Sequence, residues 1–186
     1  MKGKTMKTQH IQIGMIPAIL YGEPAQRGYL FLHGQMGHKE EAAAFALIAC
    51  PKGYQVLSID LPGHGERQNR DEVFTPWTAV PDIQAALYWS KQHWKTVSLR
   101  ANSIGAYFAM LALDTPRRAL LVSPIVDMER LILTMMGWSG VSEEQLKEQG
   151  EIATSFGQTL SWTYLCWVRE HPVHHWDCPI CILYGS

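Results

Sequence analysis

The sequence predicts an α/β fold in which a mainly parallel β-sheet is covered by helices on both faces. Short apolar runs that are typical of buried strands alternate along the chain with longer segments of helical character. Glycine and proline mark the turns between these segments. A sheet of this kind binds its ligand at the carboxyl ends of the strands, so we look for functional residues directly after each strand.

The first elements follow from short apolar runs and from the residues that end them. Residues 11–21 alternate weakly and predict one or two opening strands, whereas residues 28–32 predict a central strand. Residues 38–50 combine good helix formers with an apolar stripe. Pro51 and Gly53 then end this helix.

The middle of the chain repeats the same alternation. Residues 55–59 predict the next buried strand, and a helix follows at about residues 76–94. Residues 96–99 predict another strand, and the small and apolar residues 104–113 predict a helix that packs against the sheet. Residues 119–122 supply a further buried strand.

The pattern changes in the second half of the chain. Apolar segments of helical character, residues 131–138 and 160–168, flank the polar residues 142–151. We interpret residues 125–176 as a helical cap inserted into a single domain that spans residues 1–186. A chain of 186 residues can bury one sizeable core, which supports one domain.

The last apolar run, residues 179–184, predicts a strand and includes one half of a C-x-x-C pair. Cys178 and Cys181 are three positions apart, and such positions face opposite sides of a strand, which disfavours metal or redox use. Four cysteines in a chain of this length are too sparse for a disulfide-stapled secreted domain. We therefore expect reduced thiols and a cytoplasmic protein.

Charge and hydropathy restrict the partners. The chain has 16 Lys and Arg against 17 Asp and Glu, so it has no basic field that would attract nucleic acid. No segment approaches the ~18 consecutive apolar residues of a membrane span. We therefore expect a small-molecule or protein partner, no nucleic acid and no membrane span.

The strongest local motif surrounds Ser103. Residues 101–106 read A-N-S-I-G-A and lie between a predicted strand and a predicted helix, which is the position of a nucleophile elbow of the type G-x-S-x-G. Ala101 occupies the first glycine position of that pattern. Small neighbours are needed because the turn is sharp and strained. The alternative is a structural serine at a strand-to-helix turn.

Two glycine-rich loops follow earlier strands. Residues 33–37, H-G-Q-M-G, could supply a backbone N–H to an oxyanion hole, and we nominate the amides of Gln35 and Ile104 as its donors. The alternative is a simple glycine-rich turn. Residues 60–65, D-L-P-G-H-G, suit a tight turn, which we interpret as scaffold.

These three motifs, in this order, resemble the α/β-hydrolase superfamily, in particular its serine esterase and lipase branch that is similar to monoacylglycerol lipases. The resemblance runs from Gly28 to the end of the chain, although the cap matches only in position and apolar character. It implies that Ser103 is a nucleophile, that His33 serves loop structure, and that no cofactor is required.

The resemblance also implies that the catalytic acid follows the seventh strand of the family and the histidine follows the eighth. Both positions fall outside this sequence, so we expect a chain truncated before the acid and histidine of the triad, without the last strand and helix. Asp127 is a weak candidate for a replacement acid. His171, His174 and His175 are expected in a solvated linker rather than in a metal site.

The expected function is ester hydrolysis through an acyl-enzyme on Ser103. The apolar cap residues are candidates for substrate contact, with Met135, Trp138 and Trp162 foremost, and the alternative for these residues is ordinary packing within the cap. Peptidase, thioesterase and C–C hydrolase activities use the same core. The alternative is a catalytically impaired remnant or binding module that retains the fold, and an exposed last strand would favour self-association.

Overall fold

A computed structural model describes residues 6–185 and confirms the predicted α/β fold. The strands are β1 (Thr8–Ile13), β2 (Ile16–Tyr21), β3 (Arg27–Leu32), β4 (Gln55–Ile59), β5 (Thr96–Asn102), β6 (Ala119–Val122), β7 (Glu151–Ala153), β8 (Thr159–Ser161) and β9 (Ile180–Leu183). The helices are α1 (Ala42–Ala49), α2 (Pro76–His93), α3 (Ser103–Ala112), α4 (Met128–Ser139), α5 (Glu143–Gln149) and α6 (Trp162–Glu170).

The main sheet has seven strands in the order β1-β2-β4-β3-β5-β6-β9. The strands β1 and β2 are antiparallel to their neighbours, whereas β4, β3, β5, β6 and β9 run parallel. Because β3 lies between β4 and β5, the residues that follow these three strands meet at one edge of the sheet. The two glycine-rich loops and the serine motif are therefore brought together by the strand order.

Buried apolar residues cover both faces of this sheet. On one face, Phe31 and Val56 pack with Ala42 and Ala46 of α1. Side chains alternate between the faces of a strand, so Leu30 points to the opposite face, where it is fully buried. The helices α2 and α3 contact β3 and β5. Burial on both faces explains why the central strands are apolar almost throughout.

The contacts divide the chain into two compact units. The first contains the seven-stranded sheet and comprises the described residues up to Pro124 and from His174 onward. The second unit, Ile125–Val173, contains α4, α5, α6 and a two-stranded antiparallel sheet of β7 and β8. Within residues 6–185, no helix combines the length and apolar character needed to cross a membrane.

The second unit contains elements that the sequence reading did not predict. The polar stretch includes α5, which begins at a capping box in which Ser142 and Gln145 exchange side-chain and backbone hydrogen bonds. The expected helix at 160–168 begins only at Trp162, because residues 159–161 pair with β7. The intervening turn includes Gly157, whose φ of 83° is favourable for glycine.

Candidate active site

Ser103 occupies a strained turn between β5 and α3. Its φ is 47°, in the left-handed region that residues other than glycine rarely adopt. The start of α3 presses against the end of β3, so closely that a Cβ at Gly105 would lie 2.2 Å from the carbonyl oxygen of His33. Only glycine fits there without a shift of the backbone. The elbow is thus fixed by close backbone packing.

The loop after β3 lies directly against this serine. A Cβ at Gly34 would lie 3.3 Å from the Cβ of Ser103 and 3.5 Å from the carbonyl oxygen of Asn102. The loop closes on itself through a hydrogen bond from the Gly37 N–H to the Gly34 carbonyl at 3.2 Å. The H-G-Q-M-G segment and the serine elbow therefore form one continuous surface.

The two nominated backbone donors lie on either side of this contact. Ile104 is the second residue of α3, and an amide in the first turn of a helix has no intrahelical acceptor. Gln35 lies in the loop between Gly34 and Met36. Met36 also adopts a left-handed conformation, with a φ of 61°.

His33 uses both ring nitrogens to hold the loops. Its Nδ1 lies 2.7 Å from the carbonyl oxygen of Gly34, and its Nε2 accepts the backbone N–H of Leu61 at 3.0 Å. The carbonyl can only accept, so the proton is on Nδ1. Burial lowers the pKa of His33 to about 4 and keeps the ring neutral.

A buried ion pair ties the loop after β4 to the segment that follows the loop after β3. Asp60 is fully buried, and its carboxylate accepts the Lys39 Nζ at 2.7 Å, the Lys39 N–H at 2.8 Å and the Glu66 N–H at 3.0 Å. Burial would lower the pKa of Lys39, but hydrogen bonds to Asp60, Glu66 and Glu40 outweigh it and raise the pKa. A Cβ at Gly65 would lie 2.1 Å from the Asp60 carboxylate, so this turn also requires glycine.

Arg67 fixes the far side of the same loop. Its guanidinium donates to the Asp60 carbonyl at 3.1 Å, to the Glu72 carboxylate at 2.7 Å and to the Asp82 carboxylate at 2.5 Å. Asp82 belongs to α2, so the loop is anchored to a helix of the core. The loop serves as scaffold in this arrangement.

The hydroxyl of Ser103 forms no hydrogen bond with a histidine among residues 6–185. The ring nitrogens of His33 and His64 are already bound to backbone groups, in the latter case to the Pro62 carbonyl at 2.8 Å and the Met36 N–H at 3.0 Å. Neither ring can take the serine proton without breaking one of these bonds. The general base is therefore not assigned to either ring.

A cavity of about 630 Å³ lies beside the two loops. Its lining includes the polar side chains of His38, Glu40, His64, Glu66 and Gln68. No cluster of three or more His, Cys, Asp or Glu side chains within the described part of the chain has the geometry of a metal site.

The remaining candidates belong to the second unit. The Asp127 carboxylate accepts the Arg130 N–H at 2.9 Å and so caps α4. Trp138 is exposed and packs edge-to-face against Phe156, while Met135 and Trp162 are half-buried. Their contact with a substrate stays a prediction.

The sequence reading missed the bonds that join the two loops. Lys39 and Asp60 form an ion pair within the core, and His64 reaches the Met36 amide. A carboxylate directly after an apolar strand could have signalled a buried partner, because such a group is costly to bury unpaired. The identity of that partner depends on the strand order.

The model of the Alpha/beta hydrolase family matches residues 29–174. Est1E from Butyrivibrio proteoclasticus, solved with ferulic acid bound, is 16% identical with a TM-score of 0.68, covering 96% of this chain and 90% of that chain.

Two further solved structures are similar over almost the whole chain. A putative hydrolase from Agrobacterium vitis S4 is 17% identical with a TM-score of 0.69, covering 96% of this chain and 78% of that chain. Alpha/beta hydrolase domain-containing protein 10 from mouse is 13% identical with a TM-score of 0.69, covering 98% and 78%. At such identities the likeness shows the fold. No curated protein matches the sequence.

Proposed function

The chain belongs to the alpha/beta hydrolase family, and from this premise we propose that it hydrolyses carboxylic esters through an acyl-enzyme on Ser103. The observation that carries the proposal is the left-handed turn at Ser103, with a φ of 47°, packed against Gly34. Strain of this kind persists where the surrounding structure enforces it, and it is concentrated at active sites.

In the proposed mechanism, a general base takes the proton of the Ser103 hydroxyl while the Ser103 oxygen attacks the ester carbonyl, and the carbonyl oxygen becomes an oxyanion. The backbone N–H groups of Ile104 and Gln35 donate hydrogen bonds to that oxyanion as its charge develops. As the tetrahedral intermediate collapses, the C–O bond to the leaving group breaks, and the leaving oxygen takes the proton from the base and departs as the alcohol. The acyl-serine that remains is hydrolysed by water. Each backbone donor contributes about 3 kcal/mol to such a transition state.

A serine hydroxyl needs a base to take its proton. The proposal assigns neither the base nor the acid of a triad to a histidine or carboxylate among residues 6–185. Asp127, the acid candidate from the sequence, is not assigned this role, because its carboxylate already caps α4. Loss of a triad in a serine hydrolase lowers the rate by about 10⁶-fold, so turnover by these residues alone would be slight.

The bonding of the two histidine rings near Ser103 favours a second candidate function. His33 and His64 both hold backbone groups instead of the Ser103 hydroxyl. The chain would then be a binding module that retains the hydrolase fold without efficient catalysis. A clear Ser103-dependent turnover would reject this candidate.

The proposed substrate is a small-molecule ester with an apolar acyl group. Met135, Trp138 and Trp162 of the second unit are the proposed acyl contacts. We propose no cofactor, because the ester is activated by backbone amides. The free thiols of all four cysteines support the proposed cytoplasmic location.

The experiment is labelling with a fluorophosphonate probe, together with hydrolysis of p-nitrophenyl acetate and butyrate. Ser103→Ala should abolish both signals. The matched control is Ser123→Ala, because Ser123 also has a left-handed φ, 44°, just after the neighbouring strand β6. Labelling that persists in Ser103→Ala, or that disappears in Ser123→Ala, would refute the assignment of the nucleophile.

A further inference from the structure

His64 connects the loop after β4 to the loop that contains the proposed oxyanion donor. Its Nδ1 lies 2.8 Å from the carbonyl oxygen of Pro62, and its Nε2 lies 3.0 Å from the backbone nitrogen of Met36. A carbonyl oxygen accepts and a backbone N–H donates, so Nδ1 carries the proton and Nε2 offers its lone pair. The two contacts select one neutral tautomer.

Packing fixes the plane of this ring. Phe74 lies 4.2 Å from it between ring centroids, and His33 lies 5.2 Å away. Phe74 in turn packs edge-to-face on Phe108 of α3, at 5.2 Å. The ring therefore has aromatic neighbours that tie it both to β3 and to the helix that begins at Ser103.

At Met36 the loop is held by backbone hydrogen bonds, because the bond from the Gly37 N–H to the Gly34 carbonyl spans this position. The Met36 side chain is 90% exposed, and its backbone is left-handed. Side-chain packing therefore does not set the conformation at this position. This turn hydrogen bond and the hydrogen bond from the Met36 N–H to His64 set it together.

Gln35 lies between two fixed points. On one side, Gly34 packs against Ser103, and on the other side His64 holds the Met36 amide. These two restraints limit the orientation of the Gln35 N–H, because each intervening residue has only two soft backbone torsions.

We propose that His64 is a positioning residue whose neutral Nε2 holds the Met36 amide and so directs the Gln35 N–H towards Ser103. This inference rests on the proposed function for its catalytic consequence. The restraint on the loop itself is independent of catalysis.

Two substitutions of His64 separate the restraint from the packing of the ring. His64→Gln keeps an acceptor oxygen within reach of the Met36 amide. His64→Asn keeps an N–H that can donate to the Pro62 carbonyl but is too short to reach Met36. Amide hydrogen exchange at Met36 should be about tenfold faster in the Asn variant, the factor expected for loss of one hydrogen bond. The Gln variant should match the unmutated protein.

The catalytic readout uses the same pair of variants. His64→Asn should lower kcat about 100-fold with little change in KM, because misplacement of a transition-state donor by about 1 Å can cost that factor. His64→Gln should restore kcat to within a few-fold of the unmutated protein. If His64 had a purely structural role, kcat would fall equally in both variants, and that outcome would overturn the proposal.

A measurement on the unmutated protein covers the case in which a variant fails to fold. Nitrogen-15 NMR of the His64 ring should find the proton on Nδ1, and a proton on Nε2 would refute the proposal. Unchanged exchange at Met36 in a folded His64→Asn variant would also refute it. If the unmutated chain shows no Ser103-dependent turnover, the proposed function fails, while the exchange and the tautomer still decide the role of His64.

Discussion

The Nε2 of His33 accepts the backbone N–H of Leu61 at 3.0 Å, across 28 positions of sequence. The bond joins the end of β3 to the loop after β4 at a site where His33 is fully buried. A protonated ring would place one N–H against another and would bury a charge. The bond therefore exists only while His33 is neutral.

This relationship predicts an acid-sensitive stability. The pKa of His33 is lowered to about 4 in the fold, from 6.5 in an unfolded chain, so between these values the unfolded state binds the extra proton. The contribution of His33 to the free energy of unfolding is complete above pH 6.5 and is lost as the pH falls towards 4. From pH 7 to 4 the free energy of unfolding should fall by on the order of 3 kcal/mol through this group.

Urea unfolding of the unmutated protein and of His33→Gln at several pH values measures the effect. The Gln side chain can accept the Leu61 N–H and does not titrate, so its stability should depend less on pH. If the free energy of unfolding changes with pH to the same extent in the two proteins, His33 does not contribute to the pH dependence of stability.

The buried pair of Lys39 and Asp60 predicts a large loss of stability when one partner is removed. Lys39→Met leaves the Asp60 carboxylate buried with backbone donors only, which should cost about 3 to 5 kcal/mol in the free energy of unfolding. The control is Glu66→Gln, because Glu66 also contacts Lys39, at 2.8 Å, but is largely exposed. That change should cost less than about 1 kcal/mol. Equal losses of stability in the two variants would contradict the prediction that the buried pair stabilises the fold more than the exposed contact does.

We predict that replacement of Gly105 by alanine, which has the smallest side chain, lowers the stability of the fold. Alanine is favoured over glycine in helices, so any loss in Gly105→Ala must come from the contact with the His33 carbonyl, 2.2 Å from the added Cβ. We expect a loss of about 3 kcal/mol in chemical denaturation. Gly137→Ala in α4 is the matched control, because nothing lies within 4 Å of its added Cβ. It should leave stability unchanged or raise it by up to about 1 kcal/mol.

The exposed strand β9 predicts self-association. Ile180, Ile182 and Leu183 are between 44% and 50% exposed, and among the described strands β9 pairs only with β6. Light scattering across a concentration series should detect association, and Ile182→Lys should reduce it by charging the strand. Leu47→Lys removes an exposed leucine from α1 and should leave association unchanged. A monomeric protein at all concentrations would reject this prediction.

Most strands of the sheet were predictable because burial on both faces makes them continuous apolar runs, as in residues 55–59 and 119–122. The strands β7 and β8 were not, since three residues each are too few to show an alternation. The helix α5 could have been found, because the residues Ser142 and Gln145 already spell a capping box.

The position of Ser103 could be predicted because a strand, a small residue, a serine and a helix occur in consecutive order. Three bonds could not be predicted, those of His33 with Leu61, of His64 with Met36 and of Asp60 with Lys39, because each joins residues more than 20 positions apart. Such pairs depend on β3 lying beside β4, which local periodicity does not reveal. The tautomers of the two rings depend on the same neighbours.

Hydrogen bonds cross between the loops after β3 and β4 in both directions. His33 receives the amide of Leu61, while His64 receives the amide of Met36. In a chimera that takes only one of the two loops from a different hydrolase, a histidine ring would lose the backbone N–H that its Nε2 accepts. The two loops therefore form one module for recombination, and crossover points belong before β3 and after α2, so that the exchanged segment carries both loops together with Glu72 and Asp82, the partners of Arg67.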